Sequence, residues 1–541
     1  MEESTQSFET TGRSRKGESM VWLSAAGLSI GVIMIVALLG LVTYKGLESF
    51  WPNQLVTLKY SEDGETKEVA GYIVQEQTRK DADGYDHDQI QVFRGNSDIY
   101  GQSRFIYLDR ENISDIQKPK DLVLVERLAG GHVIGKFGQL TTPEGEVLTP
   151  SDAGFDALLA RVLEEGEAAR EKLKEIEKEE IGRNSKAISE LQNRRRIEGT
   201  SPEIESELKS LSKEFAELDA KRTEIREKAR KWELVMACSN DRKITVMGDE
   251  LLHALEPNQL GFWGRLGEAF RRVWAFLSED PREANMEGGV YPAIFGTVVM
   301  TIIMSLFVTP FGVIAAIYLR EYAKQGPFVR AVRISVNNLA GVPSIVFGVF
   351  GLAFFVYFVG GYIDQWFFPN SQEPVYKSGG ILWASLTLAL LTVPVVIVAT
   401  EEALAAVPRG MREAALASGA SKWQMIQRVV LPASVPGILT GVILAMARGA
   451  GEVAPLMLVG VVKLAPDLPI DGQFPYVHPD RQFMHLGFHI YDLGFQSPDS
   501  EAAKPMVFAT TLLLIFLVVV MNLVAIMIRN HLRKKYTSSS F

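Results

Sequence analysis

Long stretches without charge constrain this chain before any other feature. Val21 to Tyr44 carries no charged residue over 24 positions, enough helix at about 1.5 Å per residue to cross roughly 30 Å of hydrocarbon. Five further apolar runs follow: Ala293–Tyr318, Leu339–Val359, Ile381–Ala399, Pro436–Val462 and Met506–Ile528. A chain of 541 residues that is 47% apolar could form several soluble domains. Here the apolar residues are gathered into runs rather than spread evenly, so six membrane spans are expected. Arg13, Arg15 and Lys16 precede the first run, as in a signal peptide. That run exceeds the about 7 to 15 residues of a signal core and no small-residue cleavage site follows, which predicts a retained anchor.

Basic residues set the expected orientation. Arg320, Lys324, Arg330 and Arg333 lie between spans two and three; Arg409, Arg412, Lys422 and Arg428 between four and five; Arg529, Arg533, Lys534 and Lys535 after span six. The loop 360–380 has only Lys377, and 463–505 only three cations. Loops rich in Lys and Arg stay inside, so both termini, the tails 1–20 and 532–541, are expected on the cytoplasmic side of the membrane. Residues 45–291 are then outside.

That places a large insertion, 45–287, between spans one and two. The first 45 residues are neutral and residues 291–541 carry +4, so residues 46–290 hold −13 within the chain's net −9. Such an acidic segment argues against nucleic acid as a partner. Its first part, 55–140, alternates short β-rich runs (Gly71–Val74, Gln89–Phe93, Arg104–Leu108, Leu122–Val125) with turn residues, predicting a small β-domain. Its second part, 150–235, is patterned as two helices. Leu208, Leu211, Phe215, Leu218, Ile225 and Trp232 follow a coiled-coil spacing, and Val162, Ala169, Leu173, Ile176, Ile188 and Leu191 form a similar stripe on the preceding helix. Gly199-Thr200-Ser201-Pro202 breaks the two apart, with Thr200 and Glu203 as a candidate capping box and Pro202 in a first turn. The expectation is an antiparallel hairpin projecting about 50 to 65 Å, with pairing to another chain as the alternative. Lys243–Met247 reads as a strand returning to the β-domain. Residues 261–279 gather Phe262, Trp263, Leu266, Phe270, Val273, Trp274 and Leu277 on one side, the pattern of a helix lying on the outer membrane surface.

Cys238 is the sole cysteine, which rules out an internal disulfide and predicts a free, buried thiol. Gly130–Phe137 reads G-x-x-x-x-G-K-F, but Phe137 has no hydroxyl for magnesium, so a phosphate loop is set aside. His485 and His489 stand four apart with His478, Asp480 and Asp492 nearby. The spacing suits zinc, yet a polar external loop explains it better, and no metal site is expected. No nucleophile elbow or paired carboxylate suggests an enzyme, so no catalytic residue is assigned.

Two features carry function. Residues Glu401–Pro432 form a charged, helix-patterned connection between two spans, placed where a cytoplasmic partner would dock. Span five holds Arg448 and, four residues on, Glu452. Each costs about 2.5 to 3.5 kcal/mol at mid-bilayer, so such residues face a bundle interior or an ion path. The spacing lets them pair, and Arg suits an oxyanion because its planar fork gives two parallel hydrogen bonds and stays protonated. A packing salt bridge is the alternative.

The sequence of Glu413-Ala414-Ala415, three residues, Gly419, nine residues, Val429, one residue and Leu431-Pro432 resembles the EAA loop by which ABC importer permeases bind their ATPase; Val429 stands where Ile is usual. Residues 288–531 are similar to the PstA family of phosphate permeases. They share Tyr318-Leu319-x-Glu321-Tyr322, Pro343-Ser344-Ile345-Val346, the EAA loop at 401–434 and the run Ala447–Leu456. The resemblance implies an all-α polytopic protein of the type I ABC importer permease fold, with the extracytoplasmic insertion of strands and helical hairpin added as in long-form relatives. It implies ATPase coupling through Glu413, Ala414, Ala415, Gly419, Leu431 and Pro432, and a phosphate path through Arg448 and Glu452. It also implies the partners: a PstC-like sister permease, a PstB-like ATPase dimer that binds the ATP and magnesium, a PstS-like periplasmic phosphate-binding protein, and membrane lipid. This chain would hold no cofactor itself. A permease for sulfate or phosphonate, and a phosphate-sensing or scaffold subunit, are the alternative functions.

Overall fold

The computed structural model describes residues 18–537 except 63, 81–85, 102–103 and 372. Arg13, Arg15, Lys16 and positions 538–541 of the expected tails therefore lie outside the described residues. Six helices among the described residues are long and apolar enough to cross a membrane: Met20–Glu48, Tyr291–Tyr322, Ser344–Phe367, Ile381–Ala406, Lys422–Gly451 and Ser500–Lys534. The third starts later than the predicted Leu339. Val342 precedes Pro343, which disfavours a helical backbone there, and a separate amphipathic helix, Pro327–Leu339, ends before the break. The fourth span is the centre of the bundle, packing Trp383, Leu388, Leu391 and Val396 against Met300 and Met304 of the second and Val442 and Ala445 of the fifth. Several buried hydroxyls in these spans close onto their own helix, as Thr301 donates to the Thr297 carbonyl (2.7 Å) and Thr387 to Trp383 (2.7 Å), which satisfies them without water. The first span touches the sixth, where Gly46 abuts Leu512, and is otherwise almost wholly exposed.

Between spans one and two lie two antiparallel sheets. The first contains β1 (Val56–Glu62), β2 (Glu65–Lys80), β3 (Asp86–Phe93), β4 (Phe105–Asp109) and β5 (Ile113–Gln117) in the order β4-β3-β2-β1-β5. The second contains β6 (Val123–Arg127), β7 (Val133–Thr141), β8 (Val147–Leu148), β9 (Glu233–Ala237), β10 (Lys243–Met247) and β11 (Leu251–Leu255) in the order β10-β9-β7-β6-β11, with β8 on β7. Alternation decides the faces: Leu234 and Met236 of β9 and Ile244 and Val246 of β10 turn into one core with Val123, Val125 and Val133. Each such side chain contributes about 1.5 to 3 kcal/mol. The stretch containing the phosphate-loop-like residues is a turn at Gly130 and Gly131 leading into β7, and the Gly130 amide donates to the Glu283 carboxylate at 2.7 Å. An acidic side chain occupies the place a phosphate would need.

The helices Phe155–Glu175, Gly182–Glu198 and Pro202–Arg230 are inserted between β8 and β9. Two local expectations are corrected. Ser201, not Thr200, caps the return helix, its hydroxyl accepting from the Glu203 amide at 3.2 Å. The helical pair also does not stand free. Lys186 donates to Gln473 (2.5 Å), Gln473 donates back to the Lys178 carbonyl (3.2 Å), and Arg196 donates to the Asn370 carbonyl. The pair thus leans over the loops that follow spans three and five, enclosing with them a cavity of about 630 Å³ bordered by Ser189, Asn193, Glu373, Asp480 and Arg481. Cys238 is free and buried, and burial pushes its thiol up to about 11.

Candidate functional site

The fifth span explains the arrangement. Its helix is continuous from Lys422 to Gly451, a length of about 45 Å, with Pro436 inside it and a wider turn at Ile426–Val430 just before Pro432, whose missing amide and bulky ring would otherwise clash. One end carries the loop 401–434 and the other carries Arg448.

At the loop end, a helix Arg409–Ala417 meets a turn and re-enters at Lys422. Gly419 sits at φ +85°, the left-handed region glycine accepts without strain. Its amide bonds the Leu416 carbonyl (3.0 Å) and that of Ala420 bonds Ala415 (3.1 Å), the paired bonds of a Schellman cap. Ser421 and Gln424 then form a reciprocal capping box. Glu413 and Ala414 are exposed, while Ala415 and Leu431 pack into the cluster beneath them and Pro432 is half-buried. Met411, Leu416 and Trp423 of the same loop are exposed as well. Exposed apolar side chains in a charged loop make it a candidate docking surface.

Arg412 and Lys422, which lie outside the residues that the resemblance implies, fix this loop. Arg412 donates to the Leu404 and Val407 carbonyls, 2.6 Å each, and pairs with Glu321 at 3.2 Å, tying the loop to the ends of spans four and two. Lys422 donates to the Glu321 carbonyl and lies 5.0 Å from the Tyr322 ring. An acidic residue at a span end opposite a cation-rich loop was the available signal for Glu321.

At the other end the expectation of one span over 436–462 is corrected. The helix stops at Gly451, Glu452 is extended (φ −80°, ψ 132°), and only a short helix, Leu456–Val459, follows. Pro455 supplies the reason, since its ring opposes helix at the residues before it. Glu452 is therefore not one turn along the same helix, yet its side chain folds back to Arg448, Nε to Oε1 3.5 Å. Gly449 abuts Met304, midway along the apolar run of span two, and Pro455 abuts Gly348 of span three. The break thus lies beside the middle of span two and the first turns of span three. Arg448 remains 35% exposed and Glu452 22%, and Glu452 is the only ion-pair partner of Arg448 among the described residues. The rest of the guanidinium fork is available to an anion.

His485 and His489 are buried rather than in a polar loop. His485 Nδ1 accepts from the Gly487 amide (3.1 Å), and the neighbouring Leu486 amide donates to Thr297 (2.9 Å), so this segment packs against span two. His478 pairs with Asp471 at 3.0 Å instead. Among the described residues the one group close enough to share a metal is Glu126, His253 and Glu268, and Glu268 already receives Arg271 and Arg272 at 2.8 and 3.0 Å.

Residues 308–538 match the family described as binding-protein-dependent transport system inner membrane component. A relative from Mycobacterium leprae named phosphate transport system permease protein PstA is 42% identical over 188 residues, 35% of this chain and 56% of the relative. One of the same name from Yersinia pestis is 34% identical over 251 residues, 46% of this chain and 75% of the relative. The chain spans a little over half the length of the first of these. Among solved structures, an inward-facing MetNI methionine ABC transporter aligns over 44% of this chain and 94% of its own at 19% identity and a TM-score of 0.33, too loose a likeness to carry an argument.

Proposed function

We propose that this chain, which belongs to the family of binding-protein-dependent transport inner membrane components, is the permease subunit of an ABC importer that moves phosphate inward across the cytoplasmic membrane. One observation carries the reading: one continuous helix joins the exposed 401–434 loop to a charged helix break beside the middle of span two. A push or tilt at the loop end is therefore transmitted along that helix to Arg448 near its far end.

In this reading the ATPase dimer docks on Glu413 and the apolar side chains around it. Arg412 and Gly419 position that surface, and Ala415, Leu431 and Pro432 transmit its movement to the spans. The loop end is cytoplasmic, and the inserted sheets and helical pair are periplasmic. Arg448 offers the unused part of its fork to a passing phosphate, and Glu452 holds the guanidinium when no anion is there. A charged pair exposed at bilayer depth cannot face lipid cheaply, so a sister permease completes the path on that side. A binding protein would deliver phosphate to the outer mouth, beside the helical pair. Sulfate or phosphonate remains the second substrate reading, because the fork recognises oxyanion geometry rather than phosphorus.

The test is uptake of labelled phosphate by the purified complex in proteoliposomes, with sulfate and phosphonate as competitors. Phosphate uptake that Arg448→Gln abolishes while ATPase binding persists supports the reading. Sulfate-competed uptake would reassign the substrate, and undiminished uptake by Arg448→Gln would remove Arg448 from the path.

A further inference from the structure

The helix Phe262–Ser278 is amphipathic with its polarity reversed for a soluble domain. Its polar side faces the protein: buried Glu268 takes Arg271 at 2.8 Å and Arg272 at 3.0 Å, and Arg271 reaches Glu126 of β6 at 3.5 Å. Its apolar side faces out, with Phe262 64%, Trp263 79%, Phe270 68% and Trp274 71% exposed. Leaving four large aromatic side chains in water on one helix face is costly, so something apolar covers them.

Its two ends fix where that cover lies. At the start, Phe262 is 6.1 Å from Trp51, and near the end Phe276 is 5.3 Å from Phe50, both just past the end of the first span. Phe276 also packs with Val290 and Ala293 where the second span begins. The helix is thus pinned at both ends to the level at which two spans leave the hydrocarbon. The neighbouring first span is exposed around nearly its whole circumference, contacting the sixth span at Gly46. An aromatic face turned outward at the level where two spans end, with the charged face turned into the protein, is the pattern of a helix lying in the membrane interface.

We propose that Phe262–Ser278 lies in the plane of the outer membrane leaflet, with Trp263, Phe270 and Trp274 at the boundary of headgroups and acyl chains, and that its partner is the lipid surface. The inference rests on the six-span reading and is independent of which anion is carried. Tryptophan suits this depth because its ring is apolar and its indole N–H reaches the headgroups. Anchoring the helix also presses β6 and β11 toward the bilayer through the Glu268–Arg271–Glu126 chain, which sets the height of the inserted domain over the outer loops.

The test uses the full chain in its purified complex, reconstituted in nanodiscs of phosphatidylcholine and phosphatidylglycerol. Trp263→Cys, Phe270→Cys and Trp274→Cys are labelled one at a time with an environment-sensitive dye; buried Cys238, its thiol pushed up by burial, does not compete. Brominated acyl chains should quench these dyes at least about twofold more than a dye at exposed Lys209→Cys on the helical pair. Quenching by aqueous iodide instead would overturn the proposal, as would protection from both quenchers, which would mean a protein cover. Should the cysteine variants misassemble, Trp263→Phe and Trp274→Phe keep the fold: brominated lipid should quench less of the intrinsic emission in these than in the unaltered chain, and unchanged quenching would refute lipid contact.

Discussion

Gly419 allows the proposed coupling surface to be tested without touching it. Its φ of +85° is in the left-handed region, and a Cβ added there would meet no atom within 4 Å, so a substitution acts through backbone strain alone. An ordinary L-residue pays about 1 to 2 kcal/mol in that conformation, a β-branched one more, and asparagine less. At about 1.4 kcal/mol per tenfold, Gly419→Ala should weaken ATPase binding by at most about 5- to 30-fold, because affinity falls with the population of the competent loop. The cap bonds of Leu416 and Ala415 and the Ser421–Gln424 box offset part of that strain. The expected order of affinity is Gly, then Asn, then Ala, then Val. Titrating the ATPase onto the solubilised permease gives the affinities, and membrane yield shows that each variant inserts. Equal binding by Gly419→Val and the unaltered chain, or Asn as poor as Val, would refute the link between this turn and docking.

Three further outcomes follow from specific contacts. Arg448→Gln with Glu452→Gln leaves no stranded charge, so if the pair were only packing, phosphate uptake would survive; loss of uptake with an assembled complex is expected, and Arg448→Lys should also fail because a point ammonium lacks the fork. Arg104 pairs with Glu283 (2.8 Å) and Glu287 (3.1 Å) at the junction of the inserted domain and span two; Arg104→Gln should cost about 3 kcal/mol and raise hydrogen exchange across 281–288, and unchanged exchange would show the junction does not depend on it. In the same junction burial opposes the charge on both His132 and Glu287, but their 3.2 Å pairing prevails, raising His132 and lowering Glu287. Glu287 stabilises above its unfolded value of about 4.5 and His132 below its unfolded value of about 6.5, so protection of 281–288 should peak between them and decline as pH rises through the raised His132 value; a flat profile from pH 5 to 9 would refute this.

The spans and the turn at Gly419 were readable because both depend on local sequence: uncharged length sets a span, and a glycine at the end of a short helix sets a Schellman cap. The break in span five was not, since apart from Glu452 the stretch from Gly451 to Val462 is uncharged and Pro455 was the local signal for it. The pairing of β7 with β9 was equally hidden, because the two strands are separated by the whole helical pair and register follows from a core assembled at long range. The same long-range core alters how the helical pair can be removed. Deleting Gly154 to Lys231, as periodicity alone suggests, would take away Phe155, Leu159 and Val162, which belong to the buried core of the second sheet. Each contributes about 2 to 5 kcal/mol on truncation, so that deletion should unfold the sheet. Removing 173–221 spares them, and membrane insertion with a protease-resistant β-domain is the expected result for the shorter deletion alone.

The break in span five also has a structural logic of its own. An unwound backbone at bilayer depth is tolerated only where protein or a water-filled path encloses it. Protein encloses one side: Gly348 lets Pro455 approach span three, Gly449 lets the helix end approach Met304, and Val453 abuts Gly487. Local bonds from the Glu452 amide to Gly449 (3.3 Å) and from Leu456 to Val453 (3.0 Å) satisfy part of the freed backbone. The other side is where Arg448 and Glu452 keep their exposed surface. Small residues on the closed side and a charged pair on the open side suit the proposed anion path, since they let the chain unwind without opening a route through the bundle itself. In that proposal a tilt of the helix ending at Gly451 changes the exposure of the pair while the packed side stays shut, so the 401–434 loop and the charged pair need no separate relay between them.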